Sequence, residues 1–168
     1  QKKITVYRAP GFSFLSSNVW FIESLLSLGI EIDSSIFPGR REHGGYLKPV
    51  PIEPFLLSKG GCTIKEFPIS TIKIFNKNIC FLGGGYFRIT PSFIIKHLLD
   101  DVDRYNVIYL HPRDLDQNQP ILPGLSAIKK FKSYVGIKSA KKKFASLNIS
   151  NAKSLKEINN KLNWGKVP

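Results

Sequence analysis

The order of elements along the chain predicts an α/β fold, and three observations carry that reading. β-rich runs alternate with helical runs as strand–helix–strand, and then again as strand–helix–strand. Val107 to Leu110 is a short apolar run of the buried, parallel-sheet kind. Arg8, Asp33 and His111 each stand just past the end of a predicted strand, on the face where α/β barrels keep their chemistry.

Ile4 to Tyr7 alternates and is rich in β-formers, and Ala9-Pro10-Gly11 ends it. Ser16, Ser17 and Asn18 are N-cap candidates for a helix over Val19 to Leu28, with Gly29 as its stop. That helix is apolar on most sides, which predicts deep burial. Ile30 to Ile32 reads as a short strand. Phe37 to Gly61 is dense in proline and glycine and reads as one long irregular, functional loop. Thr63 to Phe67, Thr71 to Phe75 and Ile79 to Leu82 read as strands, followed by a Gly83-Gly84-Gly85 turn. Thr90-Pro91 marks the cap and first position of a helix ending near Asp101. His111-Pro112 ends the Val107 strand, and Arg113 to Gly124 reads as a polar loop. Basic helices follow, the clearest over Lys138 to Ser146 and Ser154 to Leu162.

Composition narrows the function classes. The 168 residues suit one domain, and 42% apolar content excludes a disordered chain. No apolar run reaches the roughly 18 residues of a bilayer span. The net charge of +13 favours either a solvated basic surface or an anionic partner. No nucleic-acid motif or stacking platform accompanies it, so no nucleic-acid partner is expected. Cys62 and Cys80 form no CxxC pair and read as buried free thiols, which fits a cytoplasmic location.

Six segments in fixed order carry a resemblance. They are Tyr7-Arg8-Ala9-Pro10-Gly11-Phe12-Ser13, a helix containing Trp20, Asp33 to Pro38, Glu66 to Thr71, Gly83 to Arg88, and Tyr109 to Pro120. Together they resemble the polysaccharide deacetylases, most closely the exopolysaccharide-associated branch of the chitooligosaccharide-deacetylase-homology superfamily. Arg113 departs from the branch, which usually has Trp or a similar residue there. The resemblance implies a partial, distorted (β/α) barrel over 1–124 with a basic helical extension over 125–168. It also implies metal-dependent hydrolysis of N-acetyl groups on a glycan, in carbohydrate metabolism.

Site residues follow from the same resemblance. His111 would be the general acid, since a near-neutral imidazole suits donation to a leaving amine. Arg8 would orient the base through its forked guanidinium. Asp33 would pair with Arg8 or hold His111 in its working tautomer. Gly11 would supply an oxyanion N–H, with Phe12, Tyr86 and Arg88 lining the substrate groove. His111, Arg8, Asp33 and Gly11 also have ordinary readings: a strand-end histidine, a surface arginine, a capping aspartate and a turn glycine.

The family's Thr-Phe-Asp-Asp and His-x-x-x-His motifs, which supply the base and the metal ligands, are absent. The three histidines, His43, His97 and His111, include no pair four apart, and the chain contains no Met. We therefore expect a piece of a longer reading frame, with zinc in the full-length family and no metal in this chain. We expect it to be inactive alone and to self-associate through an exposed barrel edge. The competing readings are a non-catalytic carbohydrate-binding remnant and, third, a basic binder of nucleic acid or an anionic surface.

Overall fold

The sheet is built from very short strands that turn-forming residues interrupt. Strand β1 (Val6–Tyr7) stops at Arg8, where Ala9-Pro10 turns the chain into a 3-10 turn over Pro10–Phe12. Strand β2 (Ile32–Asp33) lies parallel to β1 and pairs Tyr7 with Asp33. Strand β4 (Cys62–Glu66) lies parallel to β2 and pairs Asp33 with Glu66. Strand β3 (Phe55–Lys59) runs antiparallel to β4 and completes an open four-stranded sheet of order β1-β2-β4-β3. This computed structural model describes residues 3–18, 20–39, 45–46, 48–101 and 104–167. Among them the strands make a mixed parallel and antiparallel sheet with helices and do not close into a barrel.

Two units divide the chain: residues 1–79 with 152–168, and residues 80–151. The expected boundary at residue 124 falls inside the second. In the first unit, helix α1 (Phe21–Ser27) packs on β4. Phe14, Ile22, Leu25, Ile36, Tyr46, Phe55, Leu57 and Ile64 form its core. Burying such side chains contributes about 1.5–3 kcal/mol each. Phe14 meets Phe21 edge-on at 4.6 Å and stacks on Tyr46 at 5.7 Å. A β5–β6 hairpin (Thr71–Ile74 and Lys77–Cys80) follows. Near the chain's end, helix α7 (Leu155–Asn159) is capped by Ser154 and Glu157, and Trp164 meets Phe67 edge-on at 5.7 Å.

The second unit is helical. It holds α2 (Gly84–Ile89), α3 (Ser92–Asp100), α4 (Pro112–Leu115), α5 (Ala127–Tyr134) and α6 (Ile137–Ala145). Helix α2 packs against α4, α5 and α6. The expected Val107 strand is reduced to one parallel bridge, Gly83 to Tyr109. Gly83 has to be glycine because a Cβ there would overlap the Tyr109 ring.

Several expectations need correction. The long loop predicted over 37–61 contains β3, whose Phe55, Leu56 and Leu57 supply the β-forming run. Gly83-Gly84-Gly85 opens a helix rather than forming a turn after the strands. Thr90 ends α2 by donating its hydroxyl to the Tyr86 carbonyl at 2.8 Å, and Pro91 is the cap of α3. Asn18 closes a turn on the Leu15 N–H at 2.7 Å, and Trp20 occupies the α1 cap without a side-chain bond. Only Ile22 and Leu25 of α1 are buried, while Trp20 and Leu28 are exposed. Val19, the expected start of that helix, and residues 40–44 and 47 of the predicted loop lie outside the described residues.

Candidate functional site

The ends of three parallel strands meet where β1, β2 and β4 stop. Their register places Tyr7, Asp33 and Glu66 in one row across the sheet. Beyond that row the chain enters two non-strand segments, Ser34–Pro38 and Phe67–Ser70, and both are wholly buried. Buried backbone outside a ladder has to find other partners. Here two serines and two carboxyls supply them.

Ser34 and Ser35 bridge the strand ends. Arg8 Nε donates to the Ser34 carbonyl at 2.9 Å, and Arg8 Nη2 donates to Ser34 Oγ at 2.7 Å. Ser34 Oγ in turn donates to the Phe67 carbonyl at 2.6 Å. The Ala9 N–H donates to Ser35 Oγ at 2.7 Å, and Ser35 Oγ donates to Asp33 Oδ1 at 2.5 Å. The Ile36 N–H donates to Glu66 Oε1 at 3.0 Å. The guanidinium carbon of Arg8 also lies 5.7 Å from the centre of the Phe12 ring, a cation–π distance. The Asp-Ser-Ser run is thus explained residue by residue: one carboxyl and two hydroxyls tie β1 and β4 to β2.

Asp33 and Glu66 are both buried, 1% and 0% exposed, and their carboxyls hydrogen-bond to one another. Burial pushes the Glu66 carboxyl well above the usual carboxylate range, and the neighbouring Asp33 pushes it the same way. Burial also raises Asp33, against the bonds from Ser35 and Glu66 that favour its charged form. Two adjacent carboxylates in a low-dielectric interior cannot both ionise. Glu66 therefore holds a proton and donates it to Asp33, and the pair titrates as a unit. That proton accounts for Glu66 Oε2, which is buried and has no other donor. With Arg8 positive, Asp33 negative and Glu66 neutral, the cluster balances its charge, which a buried ionic group requires.

Gly11 is exposed at a positive φ of 65°, and Phe12 is buried with its ring 6.3 Å from that of Phe37. His111, Tyr86 and Arg88 belong to the second unit. His111 is exposed at the cap of α4, where its N–H donates to Asp114 Oδ2 at 3.0 Å and its carbonyl accepts from the Asp114 N–H at 2.8 Å. Tyr86 is exposed. Arg88 is buried, and its guanidinium donates to the Ser133 and Lys132 carbonyls at 2.6 and 3.1 Å and pairs with Asp114 at 3.6 Å. Arg88 thus ties α2 to the end of α5 and to α4.

Glu66 is the residue of this network that sequence reasoning passed over. It read as one position in a matched segment rather than as a group with chemistry. The usable signal was a single acid followed by the apolar run Phe67-Pro68-Ile69.

Among the described residues, no group of three or more His, Cys, Asp or Glu side chains could hold a metal ion. His43 lies outside them. The donor set among the described residues does not fit the three-ligand site that the resemblance implies. No helix of the described residues is long and apolar enough to cross a membrane.

The fold and this network define a mixed α/β chain with a polar, charge-balanced cluster at the ends of its parallel strands. The chain belongs to the family described as Domain of unknown function (DUF3473), whose model matches residues 34–160. No curated protein and no solved structure matches it. Asp33 lies immediately before the matched span and Arg8 well before it, and Glu66, Tyr86, Arg88 and His111 lie inside it.

Proposed function

We propose that this chain forms the positioning and acid-bearing part of a hydrolase that removes N-acetyl groups from a glycan. The observation that carries the reading is the seating of Arg8. Its guanidinium is held at a strand end by two bonds to Ser34, beside a buried carboxyl pair. A guanidinium fixed in this way holds a permanent positive fork in a set direction, which suits orienting a carboxylate base. His111, exposed at a helix cap, has the chemistry to protonate a departing amine. Gly11, exposed beside Arg8, serves as a substrate contact, whereas Phe12 and Arg88 are buried and are withdrawn from that role. The open sheet is read as a segment of the distorted barrel that the family resemblance implies.

Acetate release from an N-acetylated oligosaccharide tests the proposal. It is measured on the chain alone and on the chain supplied with a segment carrying Asp-Asp and His-x-x-x-His. We expect turnover only in the second case. Arg8→Ala and His111→Ala are each expected to lower it by about 10²-fold or more. Absence of turnover in the supplemented form, or full activity of both variants, overturns the reading.

A second reading, a non-catalytic carbohydrate-binding module, is favoured by the lack of a three-ligand set among the described residues. Saturable glycan binding without acetate release in either form would select it.

A further inference from the structure

The second unit carries a surface that the hydrolase reading does not use. From residue 117 to 151 the chain has seven lysines and no aspartate or glutamate. Lys143 is turned inward, where its ammonium donates to the Phe87, Arg88 and Thr90 carbonyls at 3.1, 2.8 and 2.8 Å and closes the end of α2. The other six, Lys129, Lys130, Lys132, Lys138, Lys141 and Lys142, are exposed.

Helix α5 is unusual in its orientation. A helix of a globular protein turns its apolar stripe to the core. Helix α5 has no buried residue, and Ile128 and Phe131 are each more than half exposed. They stand three apart, so they share one stripe, with Lys129 and Lys130 between them in sequence. Tyr134 adds a second segment to this face. Its hydroxyl donates to the Pro120 carbonyl at 3.0 Å and accepts from the Leu122 N–H at 2.8 Å. That ties residues 120–122 to α5, and Ile121 and Leu122 are also more than half exposed.

The surface therefore combines four large apolar side chains with lysines, in a stretch where no acid offsets them. The lysines select an anionic partner. The apolar side chains select one that offers hydrocarbon just beneath its charge. An anionic lipid bilayer has both, and basic amphipathic helices lie in its interface with the apolar face inserted. Nucleic acid offers the charge without the hydrocarbon, and Phe131 alone makes a poor stacking platform. We infer that Ile121, Leu122, Ile128 and Phe131, with Lys129 and Lys130, form a peripheral docking surface for an anionic bilayer. This surface is independent of the glycan reaction.

Co-sedimentation of the full chain with vesicles tests it. Vesicles of phosphatidylglycerol and phosphatidylcholine are expected to bind the protein at least 10-fold more tightly than phosphatidylcholine alone, and binding should weaken as salt rises. Ile128→Ser with Phe131→Ser is expected to cost about 10-fold or more, from lost apolar insertion. Lys129→Ala with Lys130→Ala should cost roughly 30-fold at low salt. All four positions are exposed, so far-UV circular dichroism should be unchanged. The inference is overturned by equal binding to neutral vesicles or by no binding to anionic ones. Anionic binding that ignores the Ile128 and Phe131 changes overturns it too. So does binding of a single-stranded oligonucleotide in place of vesicles, or concentration-dependent self-association that those two changes abolish without vesicle binding.

Discussion

The two units bury charge in opposite ways. The first sets two carboxyls side by side across parallel strands, with a shared proton neutralising one of them and Arg8 balancing the other. The second sets a guanidinium beside a carboxylate between short helices, Arg88 against Asp114, and gives the guanidinium two carbonyls as well. A like-charge pair is tolerated only while one member stays protonated, so its stability follows pH. An opposite-charge pair stays ionised, and its weakness is the loss of one partner. The second unit is therefore the more sensitive to deletion and the first the more sensitive to alkali.

The largest expected effect breaks the second arrangement. Arg88→Met leaves Asp114 buried and uncompensated and should cost about 3–5 kcal/mol, read as a lower urea midpoint by far-UV circular dichroism. Glu66→Ala comes next, at about 2–3 kcal/mol, because the Ile36 N–H and Asp33 both lose a partner. Glu66→Gln keeps both bonds and should cost less than about 1 kcal/mol.

The pH dependence sharpens the contrast. The folded Glu66 carboxyl is raised, whereas the unfolded one ionises near its ordinary value of about 4.3. Above that pH the folded state binds more protons than the unfolded state, so stability falls as pH rises. The contribution is full below the ordinary carboxylate value and is lost upward as the folded pair ionises. Urea midpoints of wild type should therefore decline from weakly acidic toward alkaline pH, and Glu66→Gln should flatten that decline. A slope unchanged by Glu66→Gln would remove the shared proton from the account.

Two smaller effects probe the second unit. Gly136 has a φ of +71°, and a Cβ there would lie 2.6 Å from the Arg88 carbonyl oxygen, so Gly136→Ala should cost about 1–3 kcal/mol. Lys143→Met removes the ammonium that closes α2 and should cost about 1 kcal/mol. Burial depresses that ammonium's pKa, so methionine recovers part of the loss by avoiding desolvation.

Legibility in the sequence followed the physics of each element. β1, β2 and β4 could be read because β-formers end at Arg8, at Asp33 and near Glu66. The strand-end placement of Arg8 and Asp33 came with them. β3 was hidden by the prolines and glycines around Phe55. Helix α2 was hidden because three consecutive glycines lower helix propensity, while tertiary bonds from Arg88 and Lys143 hold it. The pairing of Asp33 with Glu66 depends on strand register across 33 residues, which no local pattern contains. Ser34 and Ser35 were legible only as members of the Asp33 to Pro38 segment, although they carry the bonds that hold the site together.

The first unit also holds both tryptophans. Trp20 is exposed, and Trp164 lies half-buried against Phe67 with the Lys65 ammonium 5.4 Å from its ring centre. The second unit contains no Trp, only Tyr86, Tyr105, Tyr109 and Tyr134. An exposed indole already emits as it would in the unfolded chain, so the change in tryptophan emission on unfolding comes almost entirely from Trp164. Intrinsic fluorescence is therefore a gauge of the sheet unit alone. Circular dichroism is weighted toward the helical unit, and any gap between the two melting curves measures how far the units unfold separately.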